Sequence, residues 1–333
     1  MAAAAGAARG RHADRPQEIP SHGWLDIAKR VKNQIKRDRL SIVAAGVAFY
    51  GLLAVFPGLV ALVGFYGLLV EPGQVEQHVS VISHMLPPQA AELLVGQLHD
   101  LATTDRAALG IGAIGGLLLA LWSASSAVRT LMEALNVAYH EEESRGTIRF
   151  YGTALILTFG GVIAVVIAIA LIVGVPAFLK LIGLGPILET VLSFVRWPVL
   201  ALLAILGFAV LYRYGPSRAK PRWRWVTWGA AIAVALWIIE SALFSVYVTR
   251  FGNYNETYGA AGAVVILLMW FLLSSYAVLI GAEINGETER QTRKDTTSGR
   301  DRPMGARRAY AADTSGKEAH NERLMTKRRQ RPA

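Results

Sequence analysis

Residues 150–178 read FYGTALILTFGGVIAVVIAIALIVGVPAF, from Phe150 to Phe178 without one charged side chain. A hydrocarbon core of roughly 30 Å is crossed by about 20 apolar residues in a helix, so this stretch is long enough to span it. Working outward, the same test finds Leu40–Val70 and Ala107–Val128 before it, and Leu192–Tyr214, Val226–Thr249 and Tyr258–Ala282 after it. The pattern predicts an all-α fold, a polytopic membrane helical bundle with six transmembrane helices. Away from the ends of the runs only two charges occur, Arg196 in the fourth and Glu240 in the fifth.

Composition agrees. The chain is 53% hydrophobic and only 17% charged, outside the usual range for a soluble domain of its 333 residues. Its formal charge of +10 sits in the ends: residues 1–39 hold nine Lys and Arg against four Asp and Glu, and residues 286–333 hold thirteen against seven. Basic tails beside membrane spans are explained by attraction to anionic lipid headgroups and by the positive-inside rule. No nucleic-acid partner is expected. The sequence has no cysteine, which excludes disulfides, thiolate metal sites and Cys nucleophiles.

Loop charges orient the spans. Lys29, Arg30, Lys32, Lys36, Arg37 and Arg39 precede the first, Arg129, Arg145 and Arg149 lie between the second and third, and Arg213, Arg218, Lys220, Arg222 and Arg224 between the fourth and fifth. The alternate loops hold Arg106, Lys180 and Arg250 alone. Both termini are therefore expected in the cytoplasm. The expected organisation is a disordered N-terminal tail over 1–24, without the apolar core of a secretory signal, a membrane domain over 25–285, and a basic disordered cytoplasmic tail over 286–333. Between the first two spans, apolar residues at near-helical spacing around Pro87-Pro88 predict amphipathic external helices within Glu71–Arg106.

Several residues invite a chemical reading. The first run is about 46 Å long at ~1.5 Å per residue, and Pro57 near its middle predicts a kinked or interrupted helix at Phe56-Pro57-Gly58. Gly110, Gly112 and Gly115 match a dinucleotide pattern but follow no strand, so close helix packing, including through Gly112 and Gly116, is the better reading. His140 with Glu141, Glu142 and Glu143 lacks metal-ligand spacing and reads as a solvated acidic stretch; no metal is expected. Trp223, Trp225 and Trp228, interleaved with Arg222 and Arg224, form an interfacial anchor. A charge at mid-membrane costs on the order of 3 kcal/mol, so Arg196 and Glu240, both in the outer half, are expected either to pair or to reach the interface separately. Glu283 and Asn285 are expected to face the region where Arg129 and Glu133 leave the second span, as a gate or a solvated boundary.

The chain also resembles the YihY/BrkB family of bacterial inner-membrane proteins, once labelled ribonuclease BN. The likeness covers about residues 25–290. It is carried by Ala48-Phe49-Tyr50 with Phe56-Pro57; by Trp122-Ser123-Ala124-Ser125-Ser126, Leu135-Asn136 and Ala138-Tyr139; and by Leu211-Tyr212 with Pro216. At the C-terminal end it is carried by Tyr247, Tyr254, Tyr258-Gly259, Gly262, Trp270 and Leu279-Ile280-Gly281-Ala282-Glu283-Ile284-Asn285. The resemblance implies a multi-pass protein of the bacterial cytoplasmic membrane with an envelope role, no cofactor and no catalytic residues to carry over. The expected function is a transporter, flippase or accessory factor for an envelope lipid or small anionic molecule. A scaffold ranks second and a membrane ribonuclease last; a homo-oligomer is left open.

Overall fold

The computed structural model describes residues 9–69, 106–175, 186–250 and 260–316. Among the described residues the chain is helical, with one isolated β-bridge between Pro221 and Thr297. After a 3-10 turn at Pro16–Glu18 come α1 (Ser21–Arg37), α2 (Leu40–Leu69), α3 (Arg106–Tyr139) and α4 (Thr147–Ile169). They are followed by α5 (Pro186–Tyr214), α6 (Trp223–Arg250), α7 (Ala260–Glu289) and a last turn, α8 (Tyr310–Asp313).

α2 to α7 are Ala, Leu, Val and Ile-rich, and in lipid a helix is the state that satisfies every backbone group internally. Among the described residues, four helical segments are long and apolar enough to cross a membrane: Thr147–Gly174, Phe194–Tyr214, Trp223–Arg250 and Val264–Glu289. A fifth is counted if Ser21–Arg37 and Leu40–Val55, bent by 65° at their junction, are taken as one span. α1 is too polar for that role. It buries Gly23, Ile27, Val31 and Gln34 on one face and exposes Lys29, Lys32 and Lys36 on another. The bend falls at Asp38-Arg39, where Arg39 adopts φ 50°.

One apolar cluster fixes how the long helices run. It joins the first turns of α2 (Leu40, Ala44, Val47) and α6 (Val226, Ala230, Ala233) to the last turns of α3 (Leu135, Ala138, Tyr139), α5 (Ala209, Tyr212) and α7 (Val278, Leu279, Ala282). Met132 with Phe150 and Ala154 seats the start of α4 on α3. The six helices therefore alternate in direction and converge at one end, here called the cap end. Burial follows: α6 buries Trp225, Val226, Gly229, Ala230, Ala233 and Val234, all in its first half.

Both described chain ends lie at the cap end. The Arg293 amide donates to the Arg11 carbonyl at 2.9 Å, the Gln291 amide side chain to the Arg9 carbonyl at 2.7 Å, and the Gly316 amide to the Arg290 carbonyl at 3.0 Å. Ala13 and Ile19 pack with Ile27, Val31 and Trp225. These contacts correct the expected tails: within 1–24, residues 9–24 are folded, and within 286–333, residues 286–316 form a capping layer with Glu287, Thr288, Glu289, Arg290 and Thr292 buried.

Two further expectations are narrowed. α2 is continuous through Pro57, so of the expected kink or interruption the interruption is absent; the proline removes one backbone donor and the helix carries on past it. A Cβ built on Gly116 meets nothing within 4 Å, whereas one on Gly281 would fall 2.6 Å from Ala233 Cβ and 2.7 Å from the Gly229 carbonyl oxygen. Close glycine packing thus occurs between α6 and α7, not at Gly116. The predicted external helices over 71–106 fall outside the described residues apart from Arg106, where α3 begins.

Candidate functional site

The functional side chains gather in two places. At the cap end, α3 and α7 run past the ends of their apolar runs, carrying residues 129–139 and 283–289 out of the apolar stretch as helix. The loop after α5 meets them there. Its Arg218 forks onto Glu289, Nη1 to Oε1 at 3.1 Å and Nη2 to Oε2 at 2.6 Å, with both side chains 0% exposed. Thr296 Oγ1 donates to the same carboxylate at 2.7 Å, and the guanidinium lies 4.9 Å from the Tyr139 ring centroid. Burial alone would lower the Arg218 pKa, but Glu289 more than offsets this and raises it.

Beside this pair, Arg30 of α1 donates to the Glu287 carboxylate, to the Glu287 carbonyl at 3.0 Å and to Gln291 Oε1 at 2.8 Å. Arg290 closes onto Glu287 and lies 5.4 Å from the Tyr310 ring centroid. Tyr310 stacks on His140 with centroids 5.1 Å apart. His140 Nε2 is 2.8 Å from the Gln34 amide nitrogen and 3.4 Å from Asp38 Oδ2. Asp38 Oδ2 and Glu283 Oε1 are buried without a hydrogen-bond partner among the described residues.

The acidic run after α3 is thus not a uniform solvated stretch. Burial is the largest influence on Glu141 and pushes it up to about 7, although its Oε1 accepts the Tyr310 amide at 2.7 Å. Burial would also raise Glu143, but bonds from Arg145 and Asn136 outweigh it and hold that carboxyl at about 2. Burial lowers the His140 pKa, with Asp38 opposing.

Two asparagines bolt the layers together. Asn136 Oδ1 accepts the Ser217 amide at 2.7 Å and its Nδ2 donates to Glu143 Oε2 at 2.9 Å, joining the loop after α3 to the loop after α5. Asn285 Oδ1 accepts the Gly229 amide at 2.8 Å and its Nδ2 donates to the Val226 carbonyl at 3.3 Å, joining α7 to α6. Gly281 provides the close approach beside it, and Tyr212 Oη donates to the Val278 carbonyl at 2.7 Å.

The second place is the half away from the cap, and there the predicted partners do not meet. Arg196 Nη1 donates to the Ile172 carbonyl at 3.2 Å, in the π-helical turn Ala170–Gly174 that continues α4, and its guanidinium lies 5.4 Å from the Trp197 ring centroid. Glu240 Oε1 is buried without a hydrogen-bond partner among the described residues. The Arg196–Glu240 pair does not form, because the fourth run offers Arg196 a free carbonyl at the widened end of α4 instead.

Arg129 does not face Glu283 or Asn285 either. It bonds Ser125 on its own helix and packs against Trp122 and Tyr151. Of the other positions carried by resemblance, Tyr50 is exposed edge-to-face with Phe49, and Trp270 Nε1 donates to Ser241 Oγ at 3.2 Å. Tyr139 is buried in the cap, while Tyr258 and Gly259 lie outside the described residues. Among the described residues, no group of three or more His, Asp or Glu could hold a metal ion.

Sequence reasoning missed Arg218, Glu289, Arg30, Glu287, Arg290 and Arg307. Arg307 donates to the carbonyls of Arg302, Lys294, Ala312 and Arg293 and so folds the segment after α7 around one guanidinium. The one available signal is Asp295-Thr296-Thr297, an Asx turn in which Asp295 Oδ1 accepts the Thr297 amide at 2.8 Å.

No solved structure matches the chain. Among relatives, a ribonuclease-like protein of Bacillus subtilis strain 168, YfkH, whose name gives that likeness only provisionally, is 32% identical over 250 residues, 73% of this chain and 87% of that protein. A UPF0761 membrane protein of Vibrio cholerae is 28% identical over 274 residues, 80% of this chain and 88% of the relative. One from Aeromonas salmonicida is 28% identical over 285 residues, 81% and 92% of the two chains. The family model described as virulence factor BrkB matches residues 31–305, taking in both the helical bundle and most of the capping layer. The chain belongs to the BrkB family of membrane proteins, with several transmembrane helices.

Proposed function

We propose that this protein is a six-span transporter, flippase or accessory factor of the bacterial inner membrane, with both termini cytoplasmic, handling an envelope lipid or a small anionic molecule. The observation that carries the reading is the gradient along the bundle. At the cap end α2, α3, α5, α6 and α7 close on one another through one apolar cluster, α4 is seated on α3, and the Arg218–Glu289 ion pair is fully buried. Away from it, Arg196 and Glu240 stand without a salt-bridge partner among the described residues and within apolar helices; cap atoms such as Arg218 Nε and Glu283 Oε1 also lack a hydrogen bond, but beside paired charges. A bundle sealed at one mouth, with unpaired ionisable groups beyond the seal, is the arrangement alternating access needs.

The topology rests on six alternating helices, on both described chain ends meeting at the cap, and on the excess of Lys and Arg there. The test is reconstitution in liposomes with fluorescent anionic phospholipid. Transbilayer movement faster than in protein-free vesicles supports the reading, and equal rates sink the transport form of it.

A second reading, a membrane scaffold for envelope proteins, is favoured by the folded capping layer over 286–316, which presents a fixed surface at the inner face. Nuclease chemistry ranks last. It calls for a metal or an acid–base pair open to a phosphodiester, and the buried cap carboxylates Glu287 and Glu289 are committed to Arg30, Arg290 and Arg218.

A further inference from the structure

Arg129 stands apart from the other charges of the bundle. It is the first charge after the apolar run of α3, which ends at Val128, and it lies against Tyr151, one residue inside the apolar run of α4. Both are therefore at the rim where hydrocarbon gives way to headgroups on the cap side. The guanidinium carbon is 4.9 Å from the Tyr151 ring centroid and 5.5 Å from that of Trp122, and the two rings stack on each other with centroids 5.2 Å apart.

Nη1 donates to Ser125 Oγ, and that hydroxyl, on a fully buried residue, donates in turn to the Trp122 carbonyl at 2.6 Å. The fork is thus held in one orientation by α3 and α4 together. No carboxylate pairs with it among the described residues. Glu133, one turn along, is exposed and not bonded to it.

Leu118 and Leu119, one turn from Trp122 towards the membrane centre, are exposed. The surface thus offers, in order from the rim inward, an oriented cation, a flat aromatic pair and an apolar wall. A structural anchor needs no oriented fork, since a Lys or Arg reaching freely to the interface does that work.

We propose that Arg129, Trp122 and Tyr151 form a binding site for the phosphate of an anionic membrane lipid in the cap-side leaflet. The planar guanidinium takes two phosphate oxygens in a charge-assisted fork, and the acyl chains run along Leu118 and Leu119. The site deepens the proposed function by naming a phosphate-bearing lipid as the ligand class. It rests on the membrane reading but not on transport, because binding is measured without any movement across a bilayer.

The test is native mass spectrometry of the full chain in non-ionic detergent, titrated separately with phosphatidylglycerol, phosphatidylcholine and inorganic phosphate. Phosphatidylglycerol should be retained over phosphatidylcholine, with inorganic phosphate failing to compete. Arg129→Gln should weaken retention about tenfold or more, and Trp122→Leu less. Arg129→Lys, which keeps the charge and loses the fork, should fall between wild type and Arg129→Gln with an unchanged unfolding midpoint, which separates lost binding from lost folding.

Three results would overturn the proposal: Arg149→Gln, at an exposed arginine nearby, weakening retention as much as Arg129→Gln; Arg129→Lys binding like wild type; or inorganic phosphate competing as well as lipid. Failure of lipid movement in liposomes leaves this site standing, and failure here leaves transport standing.

Discussion

At the cap end, the Arg218 and Glu289 side chains are both fully buried and answer each other through two bonds, with Thr296 donating to the carboxylate and the Tyr139 ring against the guanidinium, while Arg218 Nε finds no acceptor among the described residues. In the other half, among the described residues, Arg196 bonds one backbone carbonyl and Glu240 Oε1 has no partner. The same residue types are used in opposite ways. Ion pairs in a packed interior hold a geometry; unpaired charges inside a membrane are costly and stay where something must be bound or moved.

The sharpest way to break this contrast is to remove one charge from each region. Arg218→Ala leaves the Glu289 carboxylate buried without its cation, which should cost about 3–5 kcal/mol of stability. Arg196→Ala should cost less than about 1 kcal/mol, since it removes one half-exposed bond to a carbonyl. Thermal or denaturant unfolding in detergent measures both, and equal losses would abolish the distinction.

Glycines sharpen it next. Gly281→Val forces a side chain onto Ala233 Cβ and the Gly229 carbonyl, a clash worth about 3 kcal/mol or more. Gly116→Ala, facing open space in mid-helix, should be neutral or stabilising by up to about 1 kcal/mol. Unfolding midpoints that fall together would show that α3 is packed at Gly116 after all.

The cap should also show its titration. Glu141, raised to about 7 in the folded protein, keeps a proton there that the unfolded chain has lost, so stability falls as pH rises from its ordinary value near 4.5 through 7. Glu143, held at about 2, works the other way: its contribution is full above 4.5 and is lost as pH falls towards 2. His140, lowered by burial, adds to the acid loss, which for it begins below its ordinary 6.5. Wild-type unfolding midpoints should therefore decline on both sides of weakly acidic pH. Glu141→Gln should flatten the alkaline limb alone, and an unchanged alkaline limb would place that titration elsewhere.

The bundle and the cap were not equally legible in sequence. Runs such as Phe150–Phe178 announce themselves because lipid tolerates little else, and among the described residues the six long helices alternate in direction. Hydropathy, however, marks where lipid stops and not where helix stops. α3 runs on to Tyr139 and α7 to Glu289 on polar residues that are helical because they pack.

The segment after α7 looked disordered for a related reason. Its order comes from Arg307 gathering four backbone carbonyls and from Glu289 reaching Arg218, long-range polar bonds that leave no period in the sequence. At Pro57 the helix continues, so of a kink or an interruption the interruption is absent.

The smallest expected effect is the most diagnostic for the distal half. Two ionisable residues in neighbouring spans invite the assumption that they neutralise each other, yet Arg196 points to Ile172 and Glu240 remains without a partner among the described residues. In a double-mutant cycle of Arg196→Gln and Glu240→Gln, the stability effects should add to within about 0.5 kcal/mol, as they do for side chains that share no contact. A coupling of 1 kcal/mol or more, by the same principle roughly what contacting residues show, would mean that the two do meet in some state of the protein. That state would have to differ from the one described, with the π-helical turn at Ala170–Gly174 releasing Arg196. Coupling seen in transport but not in stability would locate the meeting on the transport cycle itself.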